Sequence, residues 1–206
     1  MNNIYKLIII FPLLLLGCKQ NMIEGNRIMQ KIDSLDMNIY SNEGEIIYRI
    51  ISPNSSYDRA RQIFNLKDTT INLFNNKELE YIINSDESKL SNNNKVLELI
   101  GNVELKTDLQ NNYILDSDYF IWNIDDSTYL LKGNIKFENE NIILTSNKAT
   151  LSSDNIIEFF NPVKYIIKKN KKSMYEISSE NAFYNIKTKA IKFKSNNKRV
   201  RSKIYF

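Results

Sequence analysis

Residues Leu97 to Lys106 read Leu-Glu-Leu-Ile-Gly-Asn-Val-Glu-Leu-Lys, and the chain repeats the pattern. It returns as Leu130-Leu131-Lys132-Gly133-Asn134-Ile135-Lys136-Phe137, and more loosely as Phe159-Phe160-Asn161-Pro162-Val163-Lys164-Tyr165. A recurring unit of this length constrains the fold more than any single residue, because each copy must bury its apolar side against its neighbours. Each copy is preceded by a serine followed by an acid or amide: Ser85-Asp86, Ser117-Asp118, Ser146-Asn147 and, once more, Ser179-Glu180, spaced 32, 29 and 33 residues apart. Gly101 and Gly133 each fall 16 residues after their serine, and Asn161 falls 15 after Ser146. Ser52, with Asp68 in the glycine position, marks a weaker early copy. There the inward set changes parity between Phe64/Leu66 and Ile71/Leu73, which calls for a bulge.

Alternation within each unit specifies strands with one apolar and one polar face. Leu97, Leu99, Val103 and Leu105 face one way, Glu98, Glu104 and Lys106 the other. Ile135 and Phe137, then Val163 and Tyr165, then Ile191 and Phe193 continue the inward stripe. No segment has a 3.6-residue period long enough for a helical repeat or a βαβ unit. The expected fold is therefore all-β: a β-jellyroll or open sheet sandwich built from repeated strand pairs, with its apolar faces inward. A charged free face argues against an outer-membrane barrel, which needs an apolar exterior. With 5 glycines and 3 prolines in 206 residues, most turns must be made by Asn, Asp and Ser. Asn42-Glu43-Gly44-Glu45 is one such turn, and Pro53-Asn54-Ser55-Ser56 is expected to break the strand that begins at Ile46.

The N-terminus has a different character. One cation, Lys6, precedes the apolar run Leu7–Leu16, which is too short to span a bilayer as a helix and fits a secretion signal over residues 1–17. Leu15-Leu16-Gly17-Cys18 resembles a bacterial lipobox, with the only cysteine of the chain at the position that would carry lipid. Residues 18–34 then read as a lipidated N-terminus and tether, 35–195 as the β domain, and 196–206 as a basic, frayed tail. The chain contains no histidine, which removes histidine metal sites and histidine-based nucleophilic catalysis. A single cysteine excludes an intrachain disulfide. No carboxylate pair is placed to suggest a glycosidase. No cofactor or metal is expected.

Charge is distributed unevenly. Residues 164–203 hold thirteen Lys/Arg and only two acids, Glu176 and Glu180, whereas the whole chain carries +4. A basic end of this kind is either a solvated face or a surface for lipid phosphates or an acidic protein. An exported lipoprotein has little occasion to meet nucleic acid, so none is expected as a partner.

Taken together, the N-terminal anchor, the extended segments Asp36–Tyr40 and Gly44–Ile50, and the Leu-x-Gly-Asn-Val-x-Leu and Ser-Asp repeats resemble the LptC family within the OstA-like superfamily. The resemblance covers roughly residues 35–195. It implies a membrane-anchored periplasmic component of lipopolysaccharide export with no catalytic activity of its own. Such a component receives lipopolysaccharide from an inner-membrane ABC transporter complex and passes it to a periplasmic OstA-like bridge docked edge to edge. The acyl chains would lie among Leu97, Leu99, Val103, Leu105, Ile135, Phe137, Val163 and Tyr165, and the bridge would meet the edge near Ile191 and Phe193. Family members usually keep a transmembrane helix, from which Cys18 departs; lipid anchoring to the inner membrane is the expectation, with the outer membrane as the other possibility. The competing reading is a structural or scaffolding envelope lipoprotein with a filled core and no lipid transfer.

Overall fold

The computed structural model describes residues 29–205 apart from 92, 108–112, 127, 152–154 and 170–171. Every element among these is a strand, and they form one antiparallel sheet of twelve. In chain order they are β1 (Met29–Tyr40), β2 (Ile46–Asp58), β3 (Ile63–Asn75), β4 (Glu78–Ser91), β5 (Val96–Thr107), β6 (Ile114–Asn123), β7 (Thr128–Glu138), β8 (Ile142–Leu151), β9 (Ile156–Lys169), β10 (Lys172–Asn185), β11 (Ile191–Lys194) and β12 (Arg201–Ile204). Each of β1 to β10 pairs with the next in sequence, so the sheet is a single meander, with β12 returning to pair with β10. The expected all-β, jellyroll-like architecture is what is found. No helix among the described residues is long and apolar enough to cross a membrane.

Tight turns without glycine explain how so few glycines suffice. Asn76 and Lys77 have φ of 50° and 68° between β3 and β4, and Asn93 and Asn94 have 53° and 66° between β4 and β5. Asparagine tolerates this left-handed backbone better than most side chains, and it matches the twist of a hairpin.

The strands are long but not straight. The pairing register slips at corresponding places along the sheet: at Asn84/Glu87, Ile100/Val103, Asp116/Tyr119, Lys132/Ile135, Thr145/Lys148 and Ser179/Asn181. These are the sites of the repeated Ser-acid and Gly-Asn pairs. Gly101 and Asn102 adopt φ of 76° and 43°, and Gly133 and Asn134 adopt 74° and 44°. Bulges of this kind bend a strand and sharpen its twist. Lined up across the sheet, they fold it over into two leaves built from opposite halves of the same strands. Contacts between strands that are not neighbours show the closure: Tyr48 of β2 meets Trp122 of β6 at 5.1 Å between ring centroids, and Phe137 of β7 meets Tyr184 of β10 at 4.7 Å.

The early repeat changes parity as read, but without the expected bulge: β2 and β3 keep one register across the bend, so both strands kink together. Asp68 has φ of 50°, and the buried set shifts from Leu66 to Thr69, Ile71 and Leu73. Pro53 does not break β2 as expected. It sits at the bend, opposite the left-handed Ser34, where no ladder hydrogen bond needs its missing N–H. The bend is held by Ser52, whose Oγ donates to the Lys67 carbonyl at 2.7 Å.

Two boundaries also differ from expectation. The sheet begins at Met29 rather than 35, because the residues assigned to the tether pair with β2 from Met29↔Asp58 onward. The C-terminal residues are not a frayed tail: β12 pairs with β10 from Ser178↔Arg201 to Tyr175↔Ile204. Since β11 pairs with the other half of β10, at Asn181–Tyr184, β11 and β12 are the two halves of one last bent strand. Glu180 closes that bend, accepting hydrogen bonds from the backbone N–H of Asn196 at 2.7 Å and Asn197 at 3.3 Å. Ser195 and Asn196 occupy the place of the Gly-Asn pairs, each again 16 residues on from Ser179 and Glu180.

Candidate functional site: the space between the leaves

The inward stripe predicted from alternation is buried throughout. Leu97, Leu99 and Phe137 are wholly enclosed, and Val103, Leu105, Ile135, Val163 and Tyr165 are each at most 5% exposed. All eight belong to one apolar cluster that runs the length of the sheet. Much of this interior is filled by rings reaching across from leaf to leaf. Phe137 contacts Phe159 at 6.2 Å as well as Tyr184, and Tyr165 contacts Phe193 at 5.2 Å.

Filling is incomplete on the side away from the bends. A cavity of about 410 Å³ opens there between the free ends of the two leaves. Leu73, Tyr81, Leu105 and Leu115 form one wall; Tyr129, Leu151 and Ile157 form the other, with Tyr113 also lining it. Glu80 and Lys187 contribute charged groups to the lining. Of the eight residues expected to hold acyl chains, only Leu105 borders this space; the other seven pack against protein.

The tyrosines give the wall a polar trim without charge. Burial pushes the Tyr129 hydroxyl up to about 12, and burial likewise raises Tyr81 and Tyr113, so all three stay neutral at physiological pH. Neutral hydroxyl-tipped rings suit an amphiphile, because each ring offers an apolar face and a hydrogen-bonding tip. Tyr81, Tyr113 and Tyr129 were legible as inward positions by parity: they continue the alternation through Ile83, Leu115 and Leu131. What parity could not show is that the strand ends farthest from the bends splay apart.

Ile191 and Phe193 lie on β11, as the expected edge requires. Their side chains turn inward and are half-buried, so the surface they offer a partner is the strand's backbone and its outward lysines, not the apolar groups themselves. At the other end of the sheet, β1 is paired on one side only. No contact joins β1 to β11 or β12 among the described residues, so the rolled sheet has two open edges.

Among the described residues no group of three or more acidic or cysteine side chains is placed to hold a metal ion. Cys18 lies outside the described residues.

The described strands thus form an open-edged, two-leaved antiparallel roll with an apolar core and a lateral cavity. The model of the lipopolysaccharide-assembly, LptC-related family matches residues 17–150, and the chain belongs to this family, with a role in lipopolysaccharide transport. Among solved structures, it is similar to LptH from Pseudomonas aeruginosa, described as the LptA-homologous periplasmic component of a lipopolysaccharide transport device. That likeness has 9% identity, spans 77% of this chain and 94% of the other, and has a TM-score of 0.36. No curated protein matches the sequence.

Proposed function

We propose that this chain is a lipid-anchored periplasmic component of lipopolysaccharide export. It accepts lipopolysaccharide from an inner-membrane ABC transporter complex and passes it to a periplasmic bridge of the same fold. The single observation that carries the reading is the cavity between the leaves, lined by apolar side chains together with polar and charged ones, in a sheet whose two edges are open. Its volume of about 410 Å³ falls within the range of about 300–1,000 Å³ typical of small-molecule sites. An acyl chain would enter from the seam side, where the wall of Leu105, Leu115, Leu151 and Ile157 is already apolar. The edges would join neighbours by strand addition, in which backbone hydrogen bonds supply affinity. Energy for directional movement would come from the transporter, since nothing in the module's chemistry supplies it.

A structural envelope lipoprotein without lipid transfer is the second reading. The rings that cross between leaves, such as Phe137 on Phe159, favour it, since they fill space that a lipid would otherwise need. Photo-crosslinking in cells separates the two. A photoreactive residue at Tyr81, Leu105 or Leu115 is expected to yield lipopolysaccharide adducts, and one at the sealed Leu97 few. Absence of adducts at all cavity positions in a well-expressed protein leaves the scaffolding reading standing.

A further inference from the structure

The C-terminal edge is rich in cations and poor in acids. After Glu180 the sequence has no acidic side chain, yet it holds Lys192, Lys194, Lys198, Arg199, Arg201 and Lys203 along the last bent strand. None of these six forms an ion pair among the described residues. The nearest acids are already engaged. Glu180 is held by the backbone N–H groups of Asn196 and Asn197 and feels the charge of Lys198, and Glu176 receives Lys164 at 3.4 Å and the Tyr205 hydroxyl at 3.3 Å.

Their placement is regular. On β11 the exposed Lys192 and Lys194 alternate with the inward Ile191 and Phe193. On β12 Arg201 and Lys203 stand beside Ser178 and Glu176 of β10, on the face opposite the buried Ile177. Both halves of the edge thus present two outward cations each. Lysine on an edge strand discourages indiscriminate sheet-to-sheet pairing. The same physics makes the edge selective. A strand added there would bring its outward side chains about 4.5–5.5 Å from these cations, where opposite charges attract and like charges repel.

We propose that the C-terminal edge docks an extended strand of a partner protein whose outward positions carry carboxylates, and that charge decides which strand is accepted. This rests on the edge-docking part of the proposed function and adds the chemistry of the partner. A second copy of the chain is a poor occupant. Its own C-terminal edge is equally cationic, and its β1 offers Lys31 alongside Asp33 and Asp36, with Asp36 already bound to Arg49. Because Ser195–Val200 interrupts the edge, β11 and β12 are separate landing strips, and paired substitutions on each identify the one used.

The test uses the full chain reconstituted in phosphatidylcholine vesicles, with two labelled peptides of alternating valine whose other positions are all glutamate or all lysine. The glutamate peptide is expected to float with the protein-bearing vesicles and the lysine peptide to stay behind. K192E/K194E or R201E/K203E, checked for an unchanged melting temperature, is expected to weaken the glutamate peptide about ten-fold and to admit the lysine peptide. Equal binding of both peptides, or of neither, overturns the proposal. If lipopolysaccharide adducts at Leu105 persist in that case, the transport reading survives without it; if they are absent as well, both fail. Protection of Lys192 and Lys194 from acetylation on adding phosphatidylglycerol to the vesicles, with no glutamate-peptide binding, assigns the charge to a membrane surface and also overturns it. So does salt-sensitive self-association through the same four cations.

Discussion

The Asp86 carboxylate lies directly beneath Gly101: Asn102 Nδ2 donates to Asp86 Oδ2 at 2.8 Å, and a Cβ built on Gly101 would stand 2.7 Å from that oxygen. Asp118 stands in the same relation to Gly133 and Asn134, also with a hydrogen bond of 2.8 Å. Glycine is required here twice over, by the left-handed backbone and by the space the aspartate occupies. Gly101→Ala is therefore expected to destabilise the protein by about 1–3 kcal/mol, measured by urea denaturation. Asp86→Ala in the same background should recover part of the loss, since it removes the steric conflict but not the backbone strain. If the double variant is no more stable than Gly101→Ala, the close approach is not what makes glycine necessary.

Packing and cavity positions should separate by stability. Phe137 is fully enclosed and touches the rings of Tyr113, Phe159 and Tyr184. Truncating it to alanine is expected to cost about 3–5 kcal/mol, as for other buried aromatic residues. Leu105→Ala is expected to cost less than Leu97→Ala, because Leu105 already borders open space whereas Leu97 does not. Equal costs at Leu97 and Leu105, read from denaturation midpoints, would mean that the cavity closes in solution.

The edge strand β1 is pinned by a two-point contact in which Arg49 Nε donates to Asp36 Oδ1 at 2.7 Å and a second guanidinium nitrogen meets Oδ2. The hydrogen bond from Arg49 holds the Asp36 carboxyl below its ordinary range. A depressed carboxylate adds stability that is complete above its unfolded pKa and is lost as pH falls through the folded one. Protection factors for amide exchange in β1, corrected for the intrinsic pH dependence of exchange, should thus fall on acidification below the ordinary aspartate range. Asp36→Asn should show the faster exchange already at neutral pH and flatten the dependence. An unchanged pH profile in that variant would assign the acid sensitivity to other carboxylates.

Anchoring is tested at Cys18. Cys18→Ala is expected to move the protein from the membrane to the soluble periplasmic fraction and to abolish incorporation of labelled palmitate. Retention in the membrane fraction would mean that the apolar run Leu7–Leu16, or a protein contact, holds the chain there.

Much of the architecture was legible because alternation is a local code. The Leu97/Leu99/Val103/Leu105 stripe, the repeat and the parity change near Asp68 all follow from which residues sit at odd and even positions, and they are found buried or bent, although the bend at Asp68 keeps its register and is not the bulge expected. The strand at Met29–Asp33 was not legible. Its residues are mostly exposed, and they are extended because β2 presents an edge to pair with, not because of their own pattern. β12 escaped for the same reason: all four residues are exposed, and backbone pairing with β10 holds them. Pro53 looked like a break because a proline in a straight ladder would be one; at a bend it costs little.

By itself, the sequence determined the strand class, the inward face and the positions of the bends, since side-chain alternation and glycine's backbone freedom act within a few residues. The tertiary structure alone decided that the bends align and fold one sheet into two leaves, and that aromatic rings cross between them. It also decided that the leaves part at the ends far from the bends, around Tyr81, Leu105 and Tyr129. The physical reason is that a cavity is space left over after distant strands have packed, a property of how faces meet rather than of any one strand's pattern.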